Sequence, residues 1–393
     1  MSPVSSVRPS ELPASDREAW ADFCAATPLF RSPLLGPDFA EAVARRRDDA
    51  HVAVFRRNGR TVGFLPHHRR PSGLARPIGA PFCDYHALVT EPGLRLDGAQ
   101  ALAGAGLSTF RFSNLIDPYR CFDAARQTPQ EGFVMKLGPM GAGAYLDGLR
   151  EPNPKRAKNW RRLENKLERE VGEITLRAPD HSPQAFAALM QWKREQLVRG
   201  GLHDIFRPDW TLGLMQDLFE QRQGPFQGLM LTLRAGGRLV AGHFGVRLGN
   251  HFHSWISSVD PDLAATGAGN TLLLRVIEAM PQLDLNAFDM GSGHAHYKEP
   301  FCTGRIPVAS GVAVARGAAH GMAHSVDQAL ALAAERSEAV ARLLRRLDHI
   351  AAIELSVGGR LLGVAQAFAG QARRAKSLDR APEKAPERAL LDT

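Results

Sequence analysis

The sequence predicts an α/β protein built on a duplicated unit and followed by a helical extension. Three observations carry that reading. The chain has 393 residues, more than a single hydrophobic core usually organises, so two domains and a tail are expected. One hairpin pattern occurs twice, as HVAVFRRNGRTVGFLPHH (51–68) and LMLTLRAGGRLVAGHFGV (229–246). Around both copies the apolar residues recur at helical spacing.

Taken in order, residues 1–15 are rich in Pro and Ser and are expected to be disordered. Residues 16–26 and 36–47 read as short helices; Trp20, Phe23 and Cys24 share a face of the first, and Phe39, Val43 and Arg47 trace a stripe on the second. In the first hairpin Asn58-Gly59 supplies the positive φ angles of a type I′ turn. In the second, Gly236-Gly237 does so. Each turn is followed by Arg, one further residue, Val and a small residue, which points to duplication.

Between the hairpins, residues 155–171 place Trp160, Leu163, Leu167 and Val171 in a narrow apolar stripe on a basic helix. Ser182-Pro183 is a sound start and Gly200-Gly201 a sound stop for the next helix. Asp209 can cap another, running to about residue 223. After the second hairpin come a strand, HFHSWISSV (251–259), the loop DPDLAATGAG and a helix over 270–280. A short strand at Phe288-Asp289, the segment GSGHAHYKEPF and a strand pair over 306–316 complete the second half. The expected division is a disordered 1–15, halves over 16–150 and 151–316, a helical extension over 317–373 and a disordered tail over 374–393.

Composition narrows the function. Hydrophobic residues make up 44% and charged residues 23% of the chain, ordinary values for a globular protein. The net charge of +8 and a pI near 9.6 favour anionic partners. Arg150, Lys155, Arg156, Lys158, Arg161, Arg162, Lys166 and Arg169 face only Glu151, Glu164, Glu168 and Glu170 in one stretch, which supplies half the excess. A general nucleic-acid binder would carry several such patches with exposed aromatics, so DNA is not an expected partner. Cys24, Cys83, Cys121 and Cys302 are scattered and form no CxxC pair; the N-terminal stretch has no apolar signal core, and no run is long enough to span a bilayer. A cytoplasmic protein, at most peripheral at the inner membrane, is expected.

Two features carry chemistry. TGAGN (266–270) lies between a strand and a helix, where a helix N-terminus attracts phosphate. Gly267 and Gly269 would let a diphosphate approach the backbone, with Asn270 and Thr271 as side-chain donors. His251 and His253 alternate on one strand and so share a face. Neither Cys nor Glu joins them at ligand spacing, so no metal is expected. The better use for His253 is as a general base, since an imidazole titrates near neutrality.

The stretches KRAKNWRRLENKLER, WKREQLVRGGLHDIF, HSWISSVDPDLAATGAGNTLLLRVIEAM and FDMGSGHAHYKEPF together resemble GNAT-superfamily acetyltransferases of the FemAB-like and exopolysaccharide-synthesis type. GAPFCDYHALV (79–89) is similar to an Asp-Tyr motif of the first half in such proteins. The resemblance spans roughly residues 15–316. It implies tandem GNAT-like halves, each a mixed, mostly antiparallel twisted sheet flanked by helices. It also implies acyl transfer, acetyl in the simplest case, from acyl-coenzyme A to an amine, with an amino sugar of an exopolysaccharide or envelope precursor as acceptor.

Carried over residue by residue, the resemblance makes Lys298 the oxyanion-stabilising cation, Tyr297 the donor of a proton to the departing thiolate, and Asp289 the residue that orients Lys298 or the amine. Asp84 and Tyr85 would touch the acceptor, Trp192 and Lys193 would line its channel, and Arg161 and Arg162 would hold the phosphates of a nucleotide sugar or lipid-linked sugar. Arg342, Arg345, Arg346 and Asp348 form RxxxR and RxxD spacings similar to those that grip cyclic-di-GMP; an amphipathic helix docking on a membrane or a polysaccharide synthase complex is the competing expectation. Two other functions stay open: a FemAB-like transferase using aminoacyl-tRNA, and a non-catalytic scaffold or sensor.

Overall fold

Residues 4–200, 202–293, 297–317, 325, 329 and 337–365 are described by the computed structural model. The chain opens with β1 (Ser5–Val7), α1 (Ala14–Ala26) and α2 (Pro37–Ala44). Residues 4–15, expected as disordered, are therefore structured: β1 pairs with the next strand, and Arg8 reaches both Glu11 and Asp48. The first hairpin is β2 (Ala50–Arg57) and β3 (Arg60–Arg69), with Asn58 and Gly59 at φ of 52° and 79°. Next come β4 (Leu74–Pro77), β5 (Val89–Thr90), α3 (Gly98–Gly104), β6 (Thr109–Leu115) and β7 (Arg126–Lys136).

The second part begins with α4 (Gly141–Arg150), α5 (Pro154–Val171), β8 (Ile174–Arg177), α6 (Pro183–Arg199) and α7 (Asp209–Glu220). Ser182 caps α6 as expected, its hydroxyl accepting from the amide of Ala185 at 3.2 Å. The second hairpin, β9 (Phe226–Ala235) and β10 (Arg238–Leu248), turns on Gly236 and Gly237 at φ of 54° and 80°. Then follow β11 (His251–Val259), α8 (Ala268–Ala279), β12 (Ala287–Ser292), β13 (Gly304–Val314) and α9 (Glu338–Ile353). Two details differ from the sequence reading. DPDLAATGAG is not a plain loop, because Pro261–Thr266 winds into a 3-10 turn capped by Asp260. The expected strand pair over 306–316 is one long strand, β13.

The chain divides into two compact units. One comprises the residues up to Glu131, Arg207–Leu214 and the residues from Ile306; the other comprises Gly132–Phe206 and Met215–Arg305. The chain passes between the units at 131/132, 206/207, 214/215 and 305/306. In the first unit the strands run β1-β2-β3-β4-β6-β13, with β5 beside β3; in the second they run β8-β9-β10-β11-β12-β7. All described pairings are antiparallel except β4 with β6 and β11 with β12. The duplication therefore extends beyond the hairpins. Each unit has a flanking strand, a hairpin, a third strand and a parallel neighbour reached through a helix, α3 or α8. The closing strands are exchanged: β7 follows β6 in the chain but joins β12, and β13 follows β12 but joins β6.

The first unit's core holds Phe55, Leu65, Leu102, Phe110, Phe112 and Phe122. In the second, α4, α5 and α8 cover one sheet face with Trp160, Leu167, Leu272, Val276 and Ile277 over Leu231, Leu233 and Phe252. Burying each of these large side chains contributes about 1.5–3 kcal/mol. The stripe on α5 behaves as expected: Trp160 and Leu167 are buried, and Leu163 and Val171 half-buried. On the second unit's sheet α6 lies against β10 and β11, with the Ser258 hydroxyl donating to the Leu189 carbonyl. Among the described residues no helix is long and apolar enough to cross a membrane. The expected extension over 317–373 is described only in part, and the expected tail over 374–393 lies outside the described residues.

Candidate active site

In the second unit, β11 and β12 share only three parallel rungs: His251 with Ala287, Phe252 with Phe288 and His253 with Asp289. Beyond the last rung β11 continues to Val259, paired with β10 on its other side. At that point its register slips, so that Phe244 faces Ile256 and Gly245 faces Ser254 while Trp255 bulges. A strand whose partner leaves in this way presents backbone hydrogen-bonding groups along one edge. This edge is the candidate site.

At its head stands Asp289, wholly buried. Its Oδ2 lies 3.5 Å from His253 Nδ1 and 3.7 Å from His251 Nε2, and its Oδ1 accepts from the Gly291 amide at 2.8 Å. The two histidine distances are ion-pair range, longer than a good hydrogen bond. Burial alone would raise the Asp289 carboxyl, but the neighbouring imidazoles of His253 and His251 outweigh it and hold the group well below the usual carboxylate range. Sequence reasoning found the shared face of the two histidines but not the carboxylate between them. The missed signal was register, since Asp289 is remote in sequence and becomes the partner of His253 only across the ladder. Nor does Asp289 end its strand: it lies within β12 and marks where pairing with β11 ends. From β10, His243 adds a third imidazole, its Nδ1 2.9 Å from the Ser254 hydroxyl; burial depresses it to about 4, so it is neutral near pH 7.

Lys298 is 3% exposed, and its Nζ donates to the Ser292 carbonyl at the end of β12 at 2.8 Å. A buried ammonium held on a backbone carbonyl is a directed positive charge. Tyr297 packs half-buried against the second unit's core, and burial pushes its phenol up to about 12 despite a hydrogen bond with Ser257 of β11. It is therefore a proton donor throughout the neutral range. His294 and His296 lie outside the described residues.

At the glycine turn, Gly267 has φ of 75° and starts α8. A Cβ there would lie 2.8 Å from Leu163 Cδ1, so the turn is held under α5. Gly269 and Asn270 are half-exposed in the first turn, where amides have no partner within the helix. Thr271 does not match the expectation of a ligand donor: it is 2% exposed, and its hydroxyl turns inward to the Gly267 carbonyl. Ahead of the turn, Arg238 clamps Asp260 at 2.9 and 2.6 Å, fixing the 3-10 turn that leads into it.

The remaining predicted residues scatter. Arg161 and Arg162 are exposed on α5, Arg162 bonding only its neighbour Asn159 at 3.0 and 3.3 Å among the contacts described. Trp192 and Lys193 are half-buried on α6. Asp84 and Tyr85 belong to the first unit. Tyr85 has no exposed surface and is a core residue, which corrects its reading as an acceptor contact. On α9, Arg342 and Arg345 are exposed and Arg346 is half-buried; Asp348 pairs with Arg76 at 2.7 Å and Arg111 at 3.4 Å. The carboxylate of the RxxD spacing is thus committed within the first unit.

Among curated proteins none matches the chain. The C-terminal domain (DUF2156) of a candidate lysylphosphatidylglycerol synthetase from Agrobacterium fabrum is 16% identical, covering 81% of this chain and 96% of its own, with a TM-score of 0.46. A GNAT-family acetyltransferase from Colwellia psychrerythraea is 10% identical over 78% and 98%, at 0.45. A tandem GNAT protein from the clavulanic acid biosynthesis pathway is 13% identical over 80% and 99%, at 0.43. Such scores mark distant likeness, too loose to transfer a substrate. The family model described as an acetyltransferase (GNAT) domain matches residues 154–299, from the start of α5 to the residue after Lys298. The parted strands β11 and β12, the glycine turn and the buried Lys298 accordingly lie within the stretch that matches the acetyltransferase (GNAT) domain model.

Proposed function

We propose that the chain is an N-acyltransferase moving an acyl group, acetyl in the simplest case, from acyl-coenzyme A to an amine, and that the acceptor is an amino sugar of an exopolysaccharide or envelope precursor. One observation carries the reading: β11 parts from β12 at His253 and Asp289, and α8 begins at the glycine turn that follows β11. GNAT domains take acyl-coenzyme A. The parted edge of β11 suits the amide-rich arm of such a donor, and the first-turn amides of α8 suit its diphosphate.

The chemistry follows from the side chains. The acceptor ammonium loses a proton to His253, which the Asp289 carboxylate stabilises once charged. The amine nitrogen then attacks the thioester carbonyl, and Lys298 stabilises the oxyanion that forms. The attack makes the C–N bond; collapse re-forms the carbonyl and breaks the C–S bond. Tyr297, still protonated, passes its proton to the departing sulfur, and the surplus proton on the amide nitrogen returns to the Tyr297 oxygen. The amino-sugar acceptor rests on the resemblance of FDMGSGHAHYKEPF to exopolysaccharide-type enzymes. Against an aminoacyl-tRNA donor, residues 172–182 between α5 and α6 hold only β8 and short links, too little for a long coiled-coil insertion.

The test is calorimetric titration of the full chain with coenzyme A. A mass-spectrometric screen of acetyl-coenzyme A against nucleotide amino sugars and deacetylated polysaccharide then seeks the acceptor. Absence of coenzyme A binding, or acylation only from charged tRNA, would overturn the reading.

A further inference from the structure

The second unit contains an open cleft of about 650 Å³ against α4, the start of α5 and the turn after Lys298, lined in part by Tyr145, Leu149, Arg156, Glu299, Cys302 and Thr303. Its size is that of a small-molecule site. The turn on this side is firmly held: Phe301 is fully buried, its ring stacks on Trp160 at 5.0 Å, and its carbonyl accepts from the Tyr145 hydroxyl.

Two charges of opposite sign line this cleft, and neither forms an ion pair with a described residue. The Arg156 guanidinium lies 5.2 Å over the Trp160 ring with Nη2 3.4 Å from the Leu149 carbonyl. Its Nε is buried with no hydrogen-bond partner among the described residues, an arrangement that costs free energy unless something fills it. Arg156 and Lys155 also stand in the first turn of α5, which has no acidic residue, at the helix end where the dipole favours anions. Glu299 is exposed in the same cleft, one residue after Lys298.

We propose that this cleft is the acceptor pocket and that it takes an amine carrying a phosphate, Arg156 gripping the phosphate and Glu299 drawing the ammonium toward the Lys298 end. The proposal rests on the acyl-transfer reading and names its substrate class. A guanidinium fork matches phosphate oxygens two at a time, and with Lys155 and Lys158 exposed nearby on α5 the site suits a dianion better than a single carboxylate.

The probes are glucosamine 6-phosphate, glucosamine and glucose 6-phosphate, titrated into the full chain by calorimetry, with coenzyme A titrated separately and a thermal melt as the folding control. Glucosamine 6-phosphate should bind roughly tenfold tighter than either partial probe. Arg156→Gln should bring it level with glucosamine, and Glu299→Gln should bring it level with glucose 6-phosphate, both variants keeping the wild-type melt and coenzyme A affinity. Failure of glucosamine 6-phosphate to bind the wild-type chain, or equal binding by wild type and Arg156→Gln, overturns the proposal. If glucosamine 6-phosphate binds through both residues while coenzyme A does not bind, the cleft stands and the acyl-transfer reading falls. If coenzyme A binds and another amine is acylated equally by wild type and Arg156→Gln, the transfer reading stands and the cleft assignment falls.

Discussion

The Nδ1 of His253 stands 3.5 Å from Oδ2 of Asp289 on the last parallel rung between β11 and β12, and both side chains are wholly buried. Such a pair is asymmetric: intact it contributes modestly, but losing one member strands the other. Asp289→Asn should therefore cost about 3 kcal/mol of stability at pH 7. The effect should depend on pH. Because the folded state depresses the carboxyl, its contribution is fully present above the unfolded value of about 3.9 and is lost as pH falls below it. Chemical denaturation of both proteins at pH 7 and pH 3 checks this; a gap that does not narrow at pH 3 removes Asp289 from the ion pair.

Lys298→Met tests the oxyanion role without leaving a void, since Met fills a similar volume and brings no charge. Turnover should fall by about 10²–10³. Affinity for coenzyme A should stay within about twofold, because the assigned role is on the reacting carbonyl rather than on the diphosphate. Steady-state kinetics beside calorimetry decide the matter, and unchanged turnover would exclude Lys298 from the reaction.

Tyr297 should leave a mark at high pH. Its phenol is pushed up to about 12 by burial, so it stays protonated through the range in which an ordinary tyrosine, near 10, ionises. The neutral form is favoured in the folded state, and the associated stability is present below about 10 and lost as pH rises through 12. A spectrophotometric titration of folded Tyr297→Phe against wild type should differ only above pH 11. A difference near pH 10 would mean the phenol is not buried as described.

The two hairpins were legible because local signals decide them: Asn58-Gly59 and Gly236-Gly237 need positive φ wherever they sit, and the strands around them alternate. Trp160 and Leu167 were legible on α5 for the same reason, a period set within one helix. The glycine turn, Lys298 and Tyr297 came from resemblance, and the exposure of Asn270 but not Thr271 depends on which way each points in the first turn of α8. What sequence could not supply was pairing at a distance. The register that sets Asp289 beside His253, the exchange of β7 and β13, and the burial of Tyr85 all depend on tertiary contacts. So does the ordering of residues 4–15, where a short edge strand overrides a Pro- and Ser-rich composition.

Gly267→Ala should be destabilising for two separable reasons. The residue has φ of 75°, and an added Cβ would lie 2.8 Å from Leu163 Cδ1. The backbone strain is about 1–2 kcal/mol and persists whatever the neighbour does. Pairing the change with Leu163→Ala removes the 2.8 Å contact and leaves only the residue 163 Cβ at 3.1 Å, while the strain stays. Thermal melts of the single and double variants should show Gly267→Ala destabilised less in the Leu163→Ala background than in wild type, though still destabilised. Full additivity would mean that Leu163 does not cover the turn.

Arg47 fastens α9 within the first unit, and its loss should release that helix end before anything else. The side chain has no exposed surface; its guanidinium grips Asp49 at 2.9 and 2.7 Å, lies 4.5 Å over Trp210 and reaches the Ala352 carbonyl at 3.3 Å. Trp210 Nε1 donates to the Ile353 carbonyl at 2.9 Å and Arg70 to that of Ala351 at 3.2 Å. The final carbonyls of a helix have no partners of their own, and cations are favoured there by the dipole. Arg47→Met leaves Asp49 with less compensation and the Ala352 carbonyl with only the Arg70 guanidinium at 3.4 Å, a loss of about 3 kcal/mol. Arg47→Lys should recover little, because an ammonium cannot reproduce the fork or the stacking on Trp210. Limited proteolysis followed by mass spectrometry should show new cleavage within residues 354–365 in both variants at protease levels that leave wild type intact. Arg70→Met, which leaves the Arg47–Asp49 fork in place, should be cut more slowly than Arg47→Met. If Arg47→Met resists as wild type does, the end of α9 is held by its apolar contacts alone, and the guanidinium contributes nothing to its docking.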